Sequence, residues 1–151
     1  MSLLCADWLV LRLCRREDDE QRCVLRLSPL VAPIKVTVFP LLADERLVAH
    51  TQRIATSLTA VGLFNKVDTT GVSIGKRYAR TDEIGVPFAI TVDHRTLEDD
   101  TVTLRERDSC DQVRVPSSEV AAVVAALADG SSSWAETAAK YPKQDPSADG
   151  E

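Results

Sequence analysis

The residues best suited to chemistry fall in one stretch, Asp68 to Gly85, which reads DTTGVSIGKRYARTDEIG. Lys76 and Arg80 stand one helical turn apart, so a helix would place both cations on one face. Arg77 and Tyr78 lie beside them, and Asp82 and Glu83 follow. Ser73 is a type that caps helix starts, where free N–H groups and the positive dipole end attract anions. Gly71 and Gly75 permit backbone conformations that other residues resist. Together these groups suit a phosphodiester backbone with a base nearby. The same pattern also describes a solvated basic helix that packs Ile74 and Ile84 inward and pairs Arg80 with Asp82 or Glu83. On the bare pattern both readings stand.

Other chemistries find less support. A phosphate-binding P-loop needs four residues between its glycines and a Ser or Thr after the lysine. Here three residues separate Gly71 from Gly75, and Arg77 follows Lys76. His50 and His94 are solitary, with no neighbouring nucleophile or metal partner. Asp99 and Asp100 read as a solvated turn. The four cysteines, Cys5, Cys14, Cys23 and Cys110, form no CxxC pair and read as reduced thiols rather than a zinc site or disulfide framework. Nothing assembles a nucleophile, a base and an oxyanion donor.

The elements that must position the Asp68–Gly85 stretch are legible from periodicity. Ile34, Val36 and Val38 alternate with Lys35 and Thr37, as a strand requires, and Pro40 closes the run. Leu47, Thr51, Ile54, Leu58 and Val61 recur at helical spacing, with Gly62 at the helix end. LFNKVD is a short strand, the basic stretch is a loop running into a second helix, and Gly85 ends it ahead of Pro87. PFAITVD is apolar enough to be buried on both faces. TVTLRER and CDQVRVP are strands around a turn at Asp108-Ser109, with Val102, Leu104, Val113 and Val115 inward. Ser117 is expected to cap a third helix on which Val120, Val124 and Leu127 share a face. Ser133 and Glu136 have capping-box spacing. This order predicts an α/β fold, a compact mixed sheet of about five strands with three main helices.

Residues 1–30 read as two strand-like runs around the acidic Glu17–Glu20 turn, marginal as a free hairpin and expected to pack on something outside this chain. Residues 31–142 form the domain, and 143–151 a polar tail that reads as disordered. With 44% hydrophobic and 27% charged residues the chain can build a core, and at 5% aromatic that core must be aliphatic. A net charge of −5 argues against whole-surface binding of nucleic acid, DNA included. The charge is segregated, however. Lys66, Lys76, Arg77 and Arg80 face one acid, Asp68, while the Asp93–Asp111 segment carries seven acids against Arg95, Arg105 and Arg107. No apolar run approaches the roughly 20 residues of a membrane-spanning helix.

The stretch KVDTTGVSIGKRYARTDEIGVPFAITVD resembles the most characteristic part of the anticodon-binding domain of eukaryotic and archaeal-type glycyl-tRNA synthetases. EDDEQR and LSPLVAPIKVTVFPL resemble the passage into that domain, TVTLRERDSCDQVRV its last strands, and WAETAAKYP its closing segment. The similarity runs from about Glu17 to Pro142 without a gap. It weakens where Leu25, Arg26 and Leu27 replace a more aromatic run, and before Arg15.

The resemblance implies a class II anticodon-binding fold that docks the anticodon stem-loop of tRNA-Gly. It also implies a parent enzyme, typically a homodimer, that joins glycine to tRNA. That enzyme's ATP and magnesium would belong to a catalytic domain whose motifs this chain lacks, leaving the chain without a cofactor and inactive alone. A cytoplasmic location, shared with mitochondria in some cases, goes with it. The glycine anticodons carry cytosines, whose N4 amino group a carboxylate accepts and whose other edge atoms suit an arginine. On this reading Arg77 and Arg80 contact base or phosphate, Asp82 or Glu83 accepts from a cytosine, and Ser73, Gly75 and Lys76 grip phosphate. Loss of Arg77 or Arg80 is then expected to cost about 1–3 kcal/mol of binding. A dimerisation or partner-docking scaffold without RNA recognition is the alternative.

Overall fold

The computed structural model describes residues 12–16 and 19–144. Residues 1–11, Glu17-Asp18 of the acidic turn, and most of the polar tail (145–151) lie outside the described residues. The element order is β1 (Arg12–Arg16), β2 (Asp19–Arg26), β3 (Val36–Pro40), α1 (Glu45–Ala60), β4 (Asn65–Val67), α2 (Ile74–Glu83) and β5 (Phe88–Val92). Then come α3 (His94–Asp99), β6 (Thr101–Glu106), β7 (Gln112–Pro116), α4 (Val120–Asp129) and α5 (Trp134–Lys140). β3 to β7 form one sheet in the order β4-β3-β5-β6-β7. β4, β3 and β5 run parallel, while β6 and β7 add antiparallel strands. The mixed five-stranded sheet expected from the sequence is therefore observed.

Local chemistry accounts for the helices. Asp44 accepts the amide of Arg46 at 2.8 Å and caps α1, which buries Leu47, Thr51, Ile54, Ala55 and Leu58. Val61 ends that helix and is half exposed, and Gly62 follows at φ +82°. The Ser133–Glu136 capping box forms as expected. Ser117 does not cap α4: Glu119 holds that position, and the Ser117 hydroxyl is buried without a partner among the described residues. α3 was read as a turn; Asp93 and Thr96 close a capping box that starts it. The expected tail begins later than residue 143, since Gln144 donates its amide to the Gln112 carbonyl at 2.9 Å and Lys143 bridges to Val113.

The sheet has two unlike faces. Val36, Val38, Ile90, Val92, Val102, Leu104, Val113 and Val115 meet α1 and α4 in the aliphatic core. Every residue of β3 is buried, Thr37 included, while Lys35 just before it is half-buried. α2 covers the second face, bringing the Tyr78 ring edge-on to Phe39, 5.2 Å between centroids. β2 lies against α2. Arg107 fastens this segment, donating to the carbonyls of Leu25, Leu27 and Gly85 at 2.8–3.1 Å. The approach is close enough that a Cβ on Gly85 would stand 2.8 Å from Leu27 Cδ1.

Candidate nucleic-acid interface

α2 carries the residues that the sequence singles out, and the helix sorts them into two sets. Ser73, Gly75, Lys76, Arg80 and Glu83 are exposed. Ser73, Lys76, Arg80 and Glu83 recur at intervals of three and four, so they form one outward stripe along the helix. Lys76 and Arg80 thus share a face, as their spacing requires.

Arg77 and Asp82 go the other way, and their expected contacts with RNA need correction. Arg77 is 5% exposed and donates to the carbonyls of Val72, Pro40 and Leu41 at 2.8, 2.5 and 3.2 Å. Its guanidinium also lies 5.6 Å from the Phe39 ring centre. Arg77 therefore ties the loop before α2 to the end of β3, and its donors are already engaged. Asp82, also 5% exposed, receives both arms of the Arg105 fork at 3.0 and 3.1 Å. Arg105 sits over the Tyr78 ring, 4.5 Å from its centre. Tyr78 donates or accepts a 2.8 Å bond with Thr91 and belongs to this packed layer rather than to a base-stacking surface. Of the two candidate carboxylates, Glu83 alone faces outward.

The start of α2 is also specific. Ser73 stands at the N-cap position with extended ψ of 148°, yet its side chain makes no capping hydrogen bond. The first-turn amides are therefore not capped by that hydroxyl, which keeps the positive helix end available to an anion. Neither Gly71 nor Gly75 adopts a positive φ, and a Cβ at either would meet nothing within 4 Å. Neither glycine is therefore required by a special backbone conformation or by close packing. A cleft of about 470 Å³ opens here, between residues 40–43 after β3, residues 69–74 after β4, and His94 after β5. It lies outside the carboxyl ends of parallel strands, where loops leave an α/β sheet free to bind ligands.

Asp68 is the acid of this surface. Burial pushes its carboxyl up, but hydrogen bonds from the Thr70 amide and hydroxyl at 3.0 and 2.6 Å, with the charges of Arg77 and Arg80, hold it below its ordinary value. It stays ionised and occupied locally.

The model for the "Anticodon binding domain" family matches residues 31–127, about two thirds of the chain. The chain belongs to that family. The domain is 48% identical over 128 residues to the glycine–tRNA ligase of Drosophila melanogaster, covering 84% of this chain and 17% of that protein. It is 54% identical over 103 residues to the ligase of Methanothermobacter thermautotrophicus, covering 68% of this chain and 18% of that protein. With the Caenorhabditis elegans ligase it shares 43% over 136 residues, 89% of this chain and 18% of the relative. The chain spans less than a fifth of the length of these ligases. A solved prolyl-tRNA synthetase from Cryptosporidium parvum shares the fold, with a TM-score of 0.66 and 24% identity over 70% of this chain and 23% of that one. The exposed residues of α2 thus stand on a buried scaffold within an anticodon-binding domain, and a docking scaffold without RNA is not favoured by these matches.

Proposed function

We propose that this anticodon-binding domain docks the anticodon stem-loop of tRNA-Gly, as part of a longer glycine–tRNA ligase that holds the acceptor end at a separate catalytic domain. The observation that carries the reading is the outward stripe of Ser73, Lys76, Arg80 and Glu83, with Gly75 exposed beside it, at a helix start that Ser73 leaves uncapped. Lys76, Ser73 and the Gly75 amide meet phosphate. Arg80 contacts phosphate or a base edge, and Glu83 accepts from a cytosine N4 amino group. Positioning of this stripe falls to Arg77, Asp82 and Arg105, which lock α2 to the sheet.

The ATP and magnesium of such a ligase are proposed for its catalytic domain. Among the described residues no three His, Cys, Asp or Glu side chains are grouped to hold a metal ion. A cytoplasmic, homodimeric parent enzyme completes the proposal.

Binding of the chain to a tRNA-Gly anticodon stem-loop at two salt concentrations tests it, beside a loop with both cytosines replaced. The native loop is expected to bind more tightly, with affinity falling as salt rises. Arg80→Ala is expected to weaken binding by about 1–3 kcal/mol. Equal affinity for both loops, or an Arg80→Ala variant that binds as the parent does, would count against the assignment.

A further inference from the structure

A second feature lies beneath the same helix, built largely from residues that the sequence pattern does not single out. β3, β4 and α2 enclose a pocket of about 250 Å³ between Thr37, residues 66–70, and Arg80, Thr81 and Ile84. Thr37 is 2% exposed, lines the pocket, and its hydroxyl has no hydrogen-bond partner among the described residues. The register explains why it sits there. Thr37 is paired with Lys66 on β4 and Ala89 on β5, so its side chain shares the α2 face with theirs. A buried hydroxyl left unpaired carries a desolvation penalty that valine, its isostere, would avoid.

The surrounding groups narrow what such a hydroxyl could receive. Ile84 supplies apolar wall, while the exposed Lys66 and Arg80 stand at the rim. Asp68 also borders the pocket and is ionised, which disfavours drawing a bare anion inside. A flat, neutral, polar-edged group suits the interior, because a hydroxyl both donates and accepts. A phosphate attached to that group would remain at the cationic rim. We propose that this pocket takes one nucleotide unit, with its base edge on Thr37 Oγ1 and its phosphate at Lys66 and Arg80. The proposal rests on the reading that the α2 face meets RNA. A nucleotide in an RNA loop and a free nucleoside monophosphate share this chemistry.

Amide chemical-shift mapping on the whole chain tests the pocket. The probes are the anticodon stem-loop and, separately, cytidine and adenosine monophosphates at millimolar concentration. The loop is expected to shift Thr37, residues 66–70 and residues 80–84. Thr37→Val should weaken loop binding about tenfold without changing its salt dependence, since a neutral contact is lost. Its Tm should equal or exceed the parent's, which separates this loss from misfolding. Lys66→Gln should instead lower the salt slope by about 0.7–0.9. Loop binding that leaves Thr37 unshifted, with full affinity in Thr37→Val, overturns the pocket and leaves the anticodon proposal standing. Shifts from monophosphates without loop binding support a free-nucleotide pocket and overturn the anticodon proposal. Silence at these amides toward every probe overturns the pocket.

Discussion

The two faces of the five-stranded sheet solve the same packing problem with opposite chemistry. Toward α1 and α4 the strands present Val36, Val38, Ile90, Val102, Leu104, Val113 and Val115, an aliphatic layer with no polar side-chain atom to satisfy. Toward α2 the same strands present Thr37, Thr91, Thr103, Arg105 and Arg114, each at most 5% exposed. The first face needs volume and shape; the second needs each donor matched to an acceptor. α2, which bears the proposed RNA stripe, is clamped to the second. The directional face therefore sets where α2 stands, and the aliphatic face supplies most of the burial that holds the domain together.

The sharpest way to break this comparison is to strip one charge from the polar face. Arg105→Ala leaves Asp82 buried and unpaired, and should lower unfolding free energy by about 3–5 kcal/mol in urea titrations. Removing both partners as Asp82→Leu with Arg105→Met should recover much of that loss, while shifting the α2 amides in NMR spectra. Conservative changes should also split the faces: Leu104→Met is expected to cost under about 1.5 kcal/mol, and Arg105→Lys more, because an ammonium cannot reproduce the two-armed contact.

Asp93 gives the next effect. Arg114 donates to both of its oxygens, and Thr96 adds further hydrogen bonds. Burial raises its pKa, but the hydrogen bond and charge of Arg114, then Thr96, outweigh this and hold the carboxyl below its ordinary value. A lowered native pKa means that the stabilisation is present above the unfolded value near 3.9 and disappears as pH falls through the native one. Stability measured from about pH 5 downward should fall in the parent and fall less in Asp93→Asn, which starts lower by about 3 kcal/mol. Equal acid slopes in the two proteins would remove Asp93 from the account.

Gly85→Ala should cost about 2 kcal/mol. It forces a side chain into φ +81° and against Leu25 and Leu27. Truncating Leu27 to alanine should relieve only the contact part, so a double-mutant cycle separates the two causes. The smallest expected change lies outside both faces. Lys76→Ala should alter stability by less than about 0.5 kcal/mol, because it is exposed, and yet lower the salt slope of stem-loop binding by about 0.7–0.9.

Half of the proposed interface was legible before the fold. Lys76 and Arg80 were placed together by helical spacing, and the structure keeps them outward. Arg77 and Asp82 carry the same chemical signal as their neighbours, and a charged residue in a helix is usually exposed. Nothing local marks them as buried. Apart from the Val72 carbonyl beside Arg77, their partners are the carbonyls of Pro40 and Leu41, 37 and 36 residues away, and Arg105, 23 residues away. Thr37 was missed for a related reason: alternation beside Val36 and Val38 reads as one solvated face, and only a second covering layer reverses it.

Local sequence alone determined the order of the strands β3 to β7 and of the helices α1, α2, α4 and α5, though not α3, and with them the helix ends at Gly62 and Gly85, the capping box at Ser133 and the aliphatic core positions, because these depend on residues close in sequence. The long match of residues 31–127 placed the chain in its family for the same reason, since it is a property of the string. Tertiary structure alone decided which charges are available. Burial of Arg77, Asp82, Arg105 and Arg114 depends on α2 and the β5–α3 corner lying across the strands, and on acceptors supplied from distant parts of the chain. A charge becomes structural or functional according to whether such a partner reaches it before solvent does.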